Sequence, residues 1–333
     1  MKAFYLKLLA YGRFVLPCVD FVLRVIDVLL APLVLVGSVV LYVVRRCSLE
    51  RRAWKMPVSR AIFRWVGVFP VIRHYYEPFP LIAPSDAPRR LNGIDLNVAG
   101  QLAFIKGLQG VDELAAFPLH KTSDLGFYHI NYSFQFVDAE FLYLVIRTMK
   151  PKRIIEIGSG YSTLMMLEAT RANAAEGAPC AITCIEPFEY PMLERSGATI
   201  VRSMVEEVDP ALFETLERND ILFIDSSHII RPGGDVLTEY LSILPALKPG
   251  VLVHVHDIFT PLDYASYVRR DHVLLWNEQY LLEAFLTLNR SFSIIGALNY
   301  LQKLHPDELG AVCISQRNWP SCVPGSFWMQ KVA

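Results

Sequence analysis

The sequence predicts an α/β domain, a seven-stranded, mostly parallel sheet with helices on both faces, preceded by one helix of membrane-spanning length. Three observations carry this. From about residue 136 onward, short β-rich runs alternate with runs of helical period, which is the signature of strand–helix–strand units in a parallel sheet. A glycine loop, "GSGYS" at 158–162, joins the first of these strands to its helix. Near the front, "VLLAPLVLVGSVVLYVV" at 28–44 carries no charge at all.

The apolar run continues upstream to Phe21, interrupted only by Arg24 and Asp27, and is then long enough for about one bilayer crossing. Pro32 is expected to kink such a helix without ending it. "RRCSLERR" follows the run where a cleaved signal peptide would carry small residues, so a retained anchor fits better; a re-entrant hairpin remains the other shape open to it. Arg45, Arg46, Arg51, Arg52, Lys55 and Arg60 follow the span, against Lys2, Lys7, Arg13 and Arg24 before it. That bias places the C-terminal bulk in the cytoplasm, anchored at an inner or plasma membrane. Residues 1–50 are thus read as the anchor with basic flanks, 51–130 as an interfacial segment with a linker or cap, and 131–333 as the α/β domain. Residues 54–80 mix aromatics with Arg and Lys, the composition of a membrane interface or of a packed helix, and 81–97 read as linker.

The whole chain is 53% hydrophobic with a mean hydropathy of +0.32, high for a protein that never meets lipid. Its net charge of −1 leaves no basic footprint for nucleic acid. Six cysteines are scattered without a CxxC pair, as small buried hydrophobes of a reducing compartment would be.

Within the α/β domain, helix "DAEFLYLVIRTMK" leads into strand "RIIEI", the glycine loop and helix "TLMMLEATRANAA". Strand "AITCIEP", helix "PMLERSG", strand "TIVRSM" and helix "PALFETLE" come next, then strand "DILFIDSS", helix "DVLTEYLSILPAL" and strand "VLVHVHDIF". Helix "NEQYLLEAFLTLN" and strands "FSIIGALN" and "GSFWMQK" complete the set. In such a sheet ligands bind at the carboxyl ends of the strands.

A dinucleotide fingerprint needs a third glycine in the loop, and Gly158, Ser159, Gly160, Tyr161, Ser162, Thr163 lacks it. Glu156, two residues before the first glycine, would repel a pyrophosphate and suits a ligand bearing an ammonium group. "EIGSGYS", followed by "CIEP" with Glu186 ending the second strand, resembles the class I S-adenosylmethionine-dependent methyltransferases, whose fold is Rossmann-like. "DILFIDSSH", "LKPGVLVHVHDIF" and "WNEQYLLEAFL" resemble more narrowly a bacterial group of small-molecule O-methyltransferases. The resemblance implies that Glu156, Gly158, Ser159, Gly160, Ser162 and Asp225 line the cofactor and that Glu186 holds its ribose; a strand-end carboxylate is a natural acceptor for a vicinal diol.

Methyl transfer to a hydroxyl needs the acceptor positioned and its proton removed by a base or by a divalent cation. "FIDSSH" offers Asp225 and His228, and "HVHD" offers His254, His256 and Asp257. In the similar sugar O-methyltransferases, acids ending strands four and five bind magnesium, and a histidine three residues after the first acid serves as base. Asp225, Asp257 and His228 match that pattern. His256 departs from it, standing where a carboxylate is expected; magnesium prefers oxygen, whereas imidazole suits manganese, iron or zinc, so Asp225, His256 and Asp257 form the expected donor set for magnesium or manganese. Trp276, Asn277 and Tyr280 are expected to contact the acceptor, and Tyr132, Phe136 and Asp138 ahead of the first helix to touch cofactor or acceptor. Packed-core roles explain the same residues. The expected activity is methyl transfer to oxygen of a small or lipid-linked acceptor, a sugar among them. A tethered cofactor-binding protein without catalysis and an NAD-dependent reductase are the alternatives.

Overall fold

The computed structural model of the chain describes residues 16–49, 56–68, 70–72, 76–78, 87–264 and 275–333. Lys2, Lys7, Arg13, Arg51, Arg52 and Lys55, read above as charges flanking the anchor, lie outside them. The chain divides into two units, Met1–Pro84 and Ser85–Ala333.

In the first unit, α1 (Leu16–Leu49) runs unbroken through Pro32, as expected. Its 27-residue stretch Phe21–Cys47 has a mean hydropathy of 2.4 and is long and apolar enough to cross a membrane by length and composition. Nearly every side chain from Phe21 to Val43 is exposed. The shorter α2 (Pro57–Val66) begins on a proline and ends at Gly67 in the left-handed region, φ 75°. Val58, Ile62, Trp65 and Val66 follow an i, i+4, i+7, i+8 spacing and all are exposed, so this unit carries a second apolar stripe. Arg45 pairs with Glu77.

The second unit is built on a seven-stranded sheet in the order β3-β2-β1-β4-β5-β7-β6. The strands are β1 (Arg153–Ile157), β2 (Ala181–Ile185), β3 (Thr199–Val201), β4 (Ile221–Ile224), β5 (Leu252–Val255), β6 (Phe292–Ala297) and β7 (Phe327–Lys331). All neighbours are parallel except those of β7, which runs antiparallel to both β5 and β6. β1, β4 and β5 are apolar almost throughout because both faces are covered. Two hydrophobic clusters flank the sheet. One gathers α4 (Phe136–Met149), α5 (Tyr161–Ala175), Ile154, Phe223 and Trp328; the other gathers Ile155, Leu222, Val253, Tyr240 and Leu282. α4 is buried on all sides from Val137 to Arg147, its apolar residues in the first cluster and its buried Asp138, Glu140 and Arg147 bonded to Ser326, Ser315 and Glu113. Each large side chain so buried contributes about 1.5–3 kcal/mol.

Residues 98–130, read only as linker or cap, supply Ile105, Leu108, Leu114 and Phe127 to the first cluster, from α3 (Val98–Lys106) and the turns after it. After β2 comes the single turn α6 (Pro191–Glu194). The stretch expected as one helix after β4 is broken into α7 (Asp235–Thr238), a π turn (Glu239–Ile243) and α8 (Leu244–Ala246). α9 (Glu278–Leu286) precedes β6. Three helices not expected from the sequence, α10 (Leu298–Leu304), α11 (Pro306–Val312) and α12 (Ile314–Asn318), carry the chain from β6 to β7.

Candidate active site

Strand order reverses between β1 and β4, and the carboxyl ends at such a switch point open a crevice. Gly158 sits there with φ 75°, and a Cβ on it would lie 1.9 Å from the Asp225 carbonyl oxygen. Only glycine lets these two strand ends meet. Gly160 is different: its extended φ of −178° demands no glycine, and a Cβ there would meet nothing within 4 Å. The room it leaves faces open space at the helix start, and beside it the buried Ser159 hydroxyl has no partner.

Glu156 and Ser162, expected to line the cofactor, lie beneath the loop. Glu156 has no exposed surface; its two oxygens accept from Ser162 Oγ and Thr163 Oγ1, each at 2.6 Å, and from Cys184 Sγ at 3.3 Å. Burial pushes its carboxyl up to about 7 against these hydrogen bonds. It shapes the turn from below, with Thr163 Oγ1 also accepting from the Gly160 amide. Glu186, by contrast, lies in the wall of a cavity of about 300 Å³, with Gly158, Phe188, Met204 and Asp225. Its oxygens accept from the amides of Ser159 and Phe188 and keep lone pairs for a ligand.

A second cavity, of about 510 Å³, is lined by Tyr132, Phe136, Asp138, His256, Asp257 and Trp276, and by the 322–325 segment. Asp225 belongs to both walls. Above it sits His228, whose Nε2 is 3.3 Å from Asp225 Oδ1 and 3.6 Å from Asp257 Oδ2. Its Nδ1 is 2.8 Å from Glu278 Oε2. Burial works to lower the imidazole, but its hydrogen bonds to Asp225 and Glu278 and their charges raise it well above the ordinary histidine range. Burial also works to raise Asp225, yet His256 and His228 hold it below the usual carboxylate range; burial lifts Asp257 above it. Tyr132, Phe136, His228 and Asp257 all have positive φ, 63°, 48°, 59° and 55°, a concentration of backbone strain of the kind found at functional sites.

The donor atoms of Asp225, His228 and Asp257 lie within 4.8 Å of one another. Two carboxylates and one imidazole fit a divalent cation. His256, expected as the third donor, stands outside this group: β5 alternation turns it with His254 toward Phe134, 5.1 Å away, and its Nδ1 has no partner. His254 is a packed core histidine, stacked on Phe223 at 3.9 Å and bonded to Ser326 Oγ.

Of the residues expected to meet the acceptor, Trp276 lines the larger cavity and packs on His228 at 4.5 Å. Asn277 turns to its own chain, its Oδ1 accepting from the Ile230 amide at 2.6 Å. Tyr280 donates to Asp263 and stacks under Arg89. Asp138 accepts from the amides of Gly325 and Ser326, fixing the far wall of the larger cavity. The sequence reading missed Glu278 and Tyr240; the only signal for Glu278 was its place inside "WNEQ".

Residues 155–258 match a family model described as a methyltransferase domain. The chain carries a class I S-adenosylmethionine-dependent methyltransferase fold. An uncharacterized protein of Archaeoglobus fulgidus is 30% identical over 183 residues, 49% of this chain and 80% of that protein; the chain belongs to one family with it. Among solved structures, an O-methyltransferase from Bacillus cereus in complex with SAH is 16% identical, with 69% of this chain and 91% of that one covered at a TM-score of 0.35. A cmcI structure with Mg and SAM is 14% identical, with 82% and 95% covered at 0.35.

Proposed function

We propose that this protein transfers a methyl group from S-adenosylmethionine to an oxygen of a small or lipid-linked acceptor, a sugar hydroxyl being one such group. The observation that carries the reading is the meeting of two cavities at Asp225. The smaller, walled by Glu186 and the glycine turn, suits the nucleoside, with Glu186 as acceptor for the ribose hydroxyls. Gly160 leaves room for the methionine portion. The larger then receives the acceptor against Asp225, Asp257 and Trp276, with His228 Nε2 3.3 Å from Asp225 Oδ1.

In the step itself the acceptor oxygen forms a bond to the methyl carbon as the carbon–sulfur bond breaks. The electron pair goes to sulfur, leaving S-adenosylhomocysteine, and the acceptor proton goes to His228 Nε2 once that ring is neutral; because, against its burial, Asp225 and Glu278 hold it well above the ordinary histidine range, the step needs alkaline pH. Asp225 and Asp257 are the residues that would hold a divalent cation through their carboxylates, leaving His228 Nε2 for the proton; such an ion would lower the pKa of the acceptor hydroxyl. The length and composition of α1 support a membrane anchor, the excess of Arg and Lys after the span supports a catalytic domain in the cytoplasm, and the exposed stripe of α2 supports a second contact with lipid. Tethering raises the effective concentration of a membrane-bound acceptor.

A thermal-shift panel of the methyl donor, its demethylated product, NAD(H), Mg and Mn tests the reading. Stabilisation by donor and product is expected; stabilisation by NAD(H) alone would overturn it. Donor binding without S-adenosylhomocysteine formation from any acceptor pool favours the non-catalytic binding protein, for which the departure at His256 speaks.

A further inference from the structure

We propose that His256 is a specificity-determining residue of the larger cavity, hydrogen-bonding through Nε2 to a second hydroxyl of an uncharged, polyhydroxylated acceptor. The inference deepens the methyltransferase reading and rests on it. His256 follows β5, lines the larger cavity and is 6% exposed. Its amide donates to the Ile224 carbonyl at 2.9 Å, which fixes the backbone, but packing alone holds the ring, with Phe134 at 5.1 Å and His254 at 5.4 Å. Nδ1 is sealed in the protein without a partner. Nε2 makes no hydrogen bond to any described residue, so it is the polar atom that the ring offers to the cavity.

The neighbour on the same face of the strand shows what is missing. Two residues earlier, His254 Nε2 has Ser326 Oγ at 3.0 Å, whereas no protein group stands in the matching place beside His256. A ring so nearly buried is ordinarily bonded, and the acceptor is the partner left to it. A hydroxyl both donates and accepts, so it satisfies Nε2 whichever tautomer the imidazole holds. A phosphate or an ammonium group fits only one of the two.

The rest of the lining agrees with a hydroxylated, uncharged acceptor. Asp138, Asp225 and Asp257 supply oxygens, and among the described residues no lysine or arginine lines the cavity, so an acceptor phosphate or carboxylate would enter without a cationic side chain to receive it. An ammonium group is disfavoured for another reason. The sulfonium of the donor must come to Asp225, which both cavities share, and two cations would then sit side by side. Tyr132, Phe136 and Trp276 offer flat apolar faces to the carbon skeleton of a ring.

The test measures S-adenosylhomocysteine formation by the full chain in detergent, at alkaline pH with magnesium. Substrates are the methyl glycosides of glucose, galactose and mannose, their monodeoxy analogues, a glucose phosphate and a glucuronate. Turnover of at least one neutral glycoside is expected, with kcat/KM at least about tenfold above that of the phosphate and the glucuronate; equal or better turnover of either anion overturns the proposal. One monodeoxy analogue of the preferred glycoside is expected to lose at least about tenfold in kcat/KM with the wild type. In His256→Phe, which keeps a ring without nitrogens, the same deletion is expected to cost less than about twofold, while His256→Gln, whose amide reaches as far as Nε2, keeps the penalty. A histidine that only packs the core would slow all glycosides alike and leave the deoxy penalty in place, and that result overturns the proposal. Melting curves show which variants fold, and His256→Leu carries the same expectation where His256→Phe does not. Calorimetric titration of the wild type with S-adenosylmethionine separates the two readings. Donor binding without turnover of any neutral glycoside overturns the acceptor class alone, whereas failure to bind the donor sinks the methyltransferase reading and this inference with it.

Discussion

Glu156 is a carboxyl with no exposed atom, held at about 7 by its burial. Because its folded-state pKa is raised, its contribution to stability is fully present below the ordinary value of 4.5 and is lost as pH rises to about 7. Glu156→Gln removes that loss. The variant is expected to gain on the order of 2–3 kcal/mol relative to wild type between pH 5 and pH 8, read by urea unfolding of the detergent-solubilised chain at both pH values; an equal difference at the two would refute the assignment. At His228 the expectation concerns rate. His228→Asn should leave donor affinity within a few-fold and lower S-adenosylhomocysteine formation by roughly 10²–10⁴-fold, and an unchanged rate would remove the histidine from the reaction. Residue identity was legible at this scale wherever chemistry and strand ends coincide, as at Asp225, His228 and Asp257. It was not legible for Glu156, since the direction in which a strand-end acid points depends on Ser162 and Thr163 one turn later.

The loop from β1 to α5 contains two glycines with different reasons for being glycine. Gly158→Ala would force a Cβ into backbone at φ 75° and is expected to cost about 2–4 kcal/mol of stability. Gly160→Ala meets no protein atom within 4 Å, so stability should change by no more than about 1 kcal/mol while donor affinity falls at least about tenfold, a loss of roughly 1.4 kcal/mol. Melting curves and calorimetry on the pair separate the roles; matching behaviour of the two variants would contradict this division. Elements of long, regular period were readable, α4, α5 and the seven strands among them. The π turn at Glu239–Ile243 was not, because one inserted backbone position leaves the apolar spacing of "DVLTEYLSILPAL" intact while swinging Tyr240 toward Glu278. α10, α11 and α12 span five to seven residues each, shorter than the window over which periodicity declares itself.

For the whole molecule, the division at Pro84 leads to a prediction about partition. The full chain is expected in the membrane pellet after alkaline carbonate washing, and a chain starting at Ser85 in the soluble fraction with unchanged donor affinity. Release of the full chain by carbonate would argue against α1 as a spanning anchor. Alternation along the sequence was enough for a mostly parallel sheet, because a strand followed by a helix returns the chain to the same edge. The wedging of β7 between β5 and β6 was out of reach, since pairing between strands separated by whole helices leaves no local mark.

That wedge governs the order in which the sheet is completed during synthesis. β7 is the last of the seven strands to be translated, yet it is an interior one, with Phe327–Lys331 bonded to β5 on one side and β6 on the other. A nascent chain that has made six strands therefore leaves β5 open along Leu252–Val255 and β6, which pairs in the sheet with β7 alone, unpaired at Phe292–Ala297. Such edges are templates for pairing with other chains. Ribosome stalling or proteolytic clipping before Phe327 would release a product prone to aggregate, and chaperone occupancy during translation should peak over the stretch between Ala297 and Phe327.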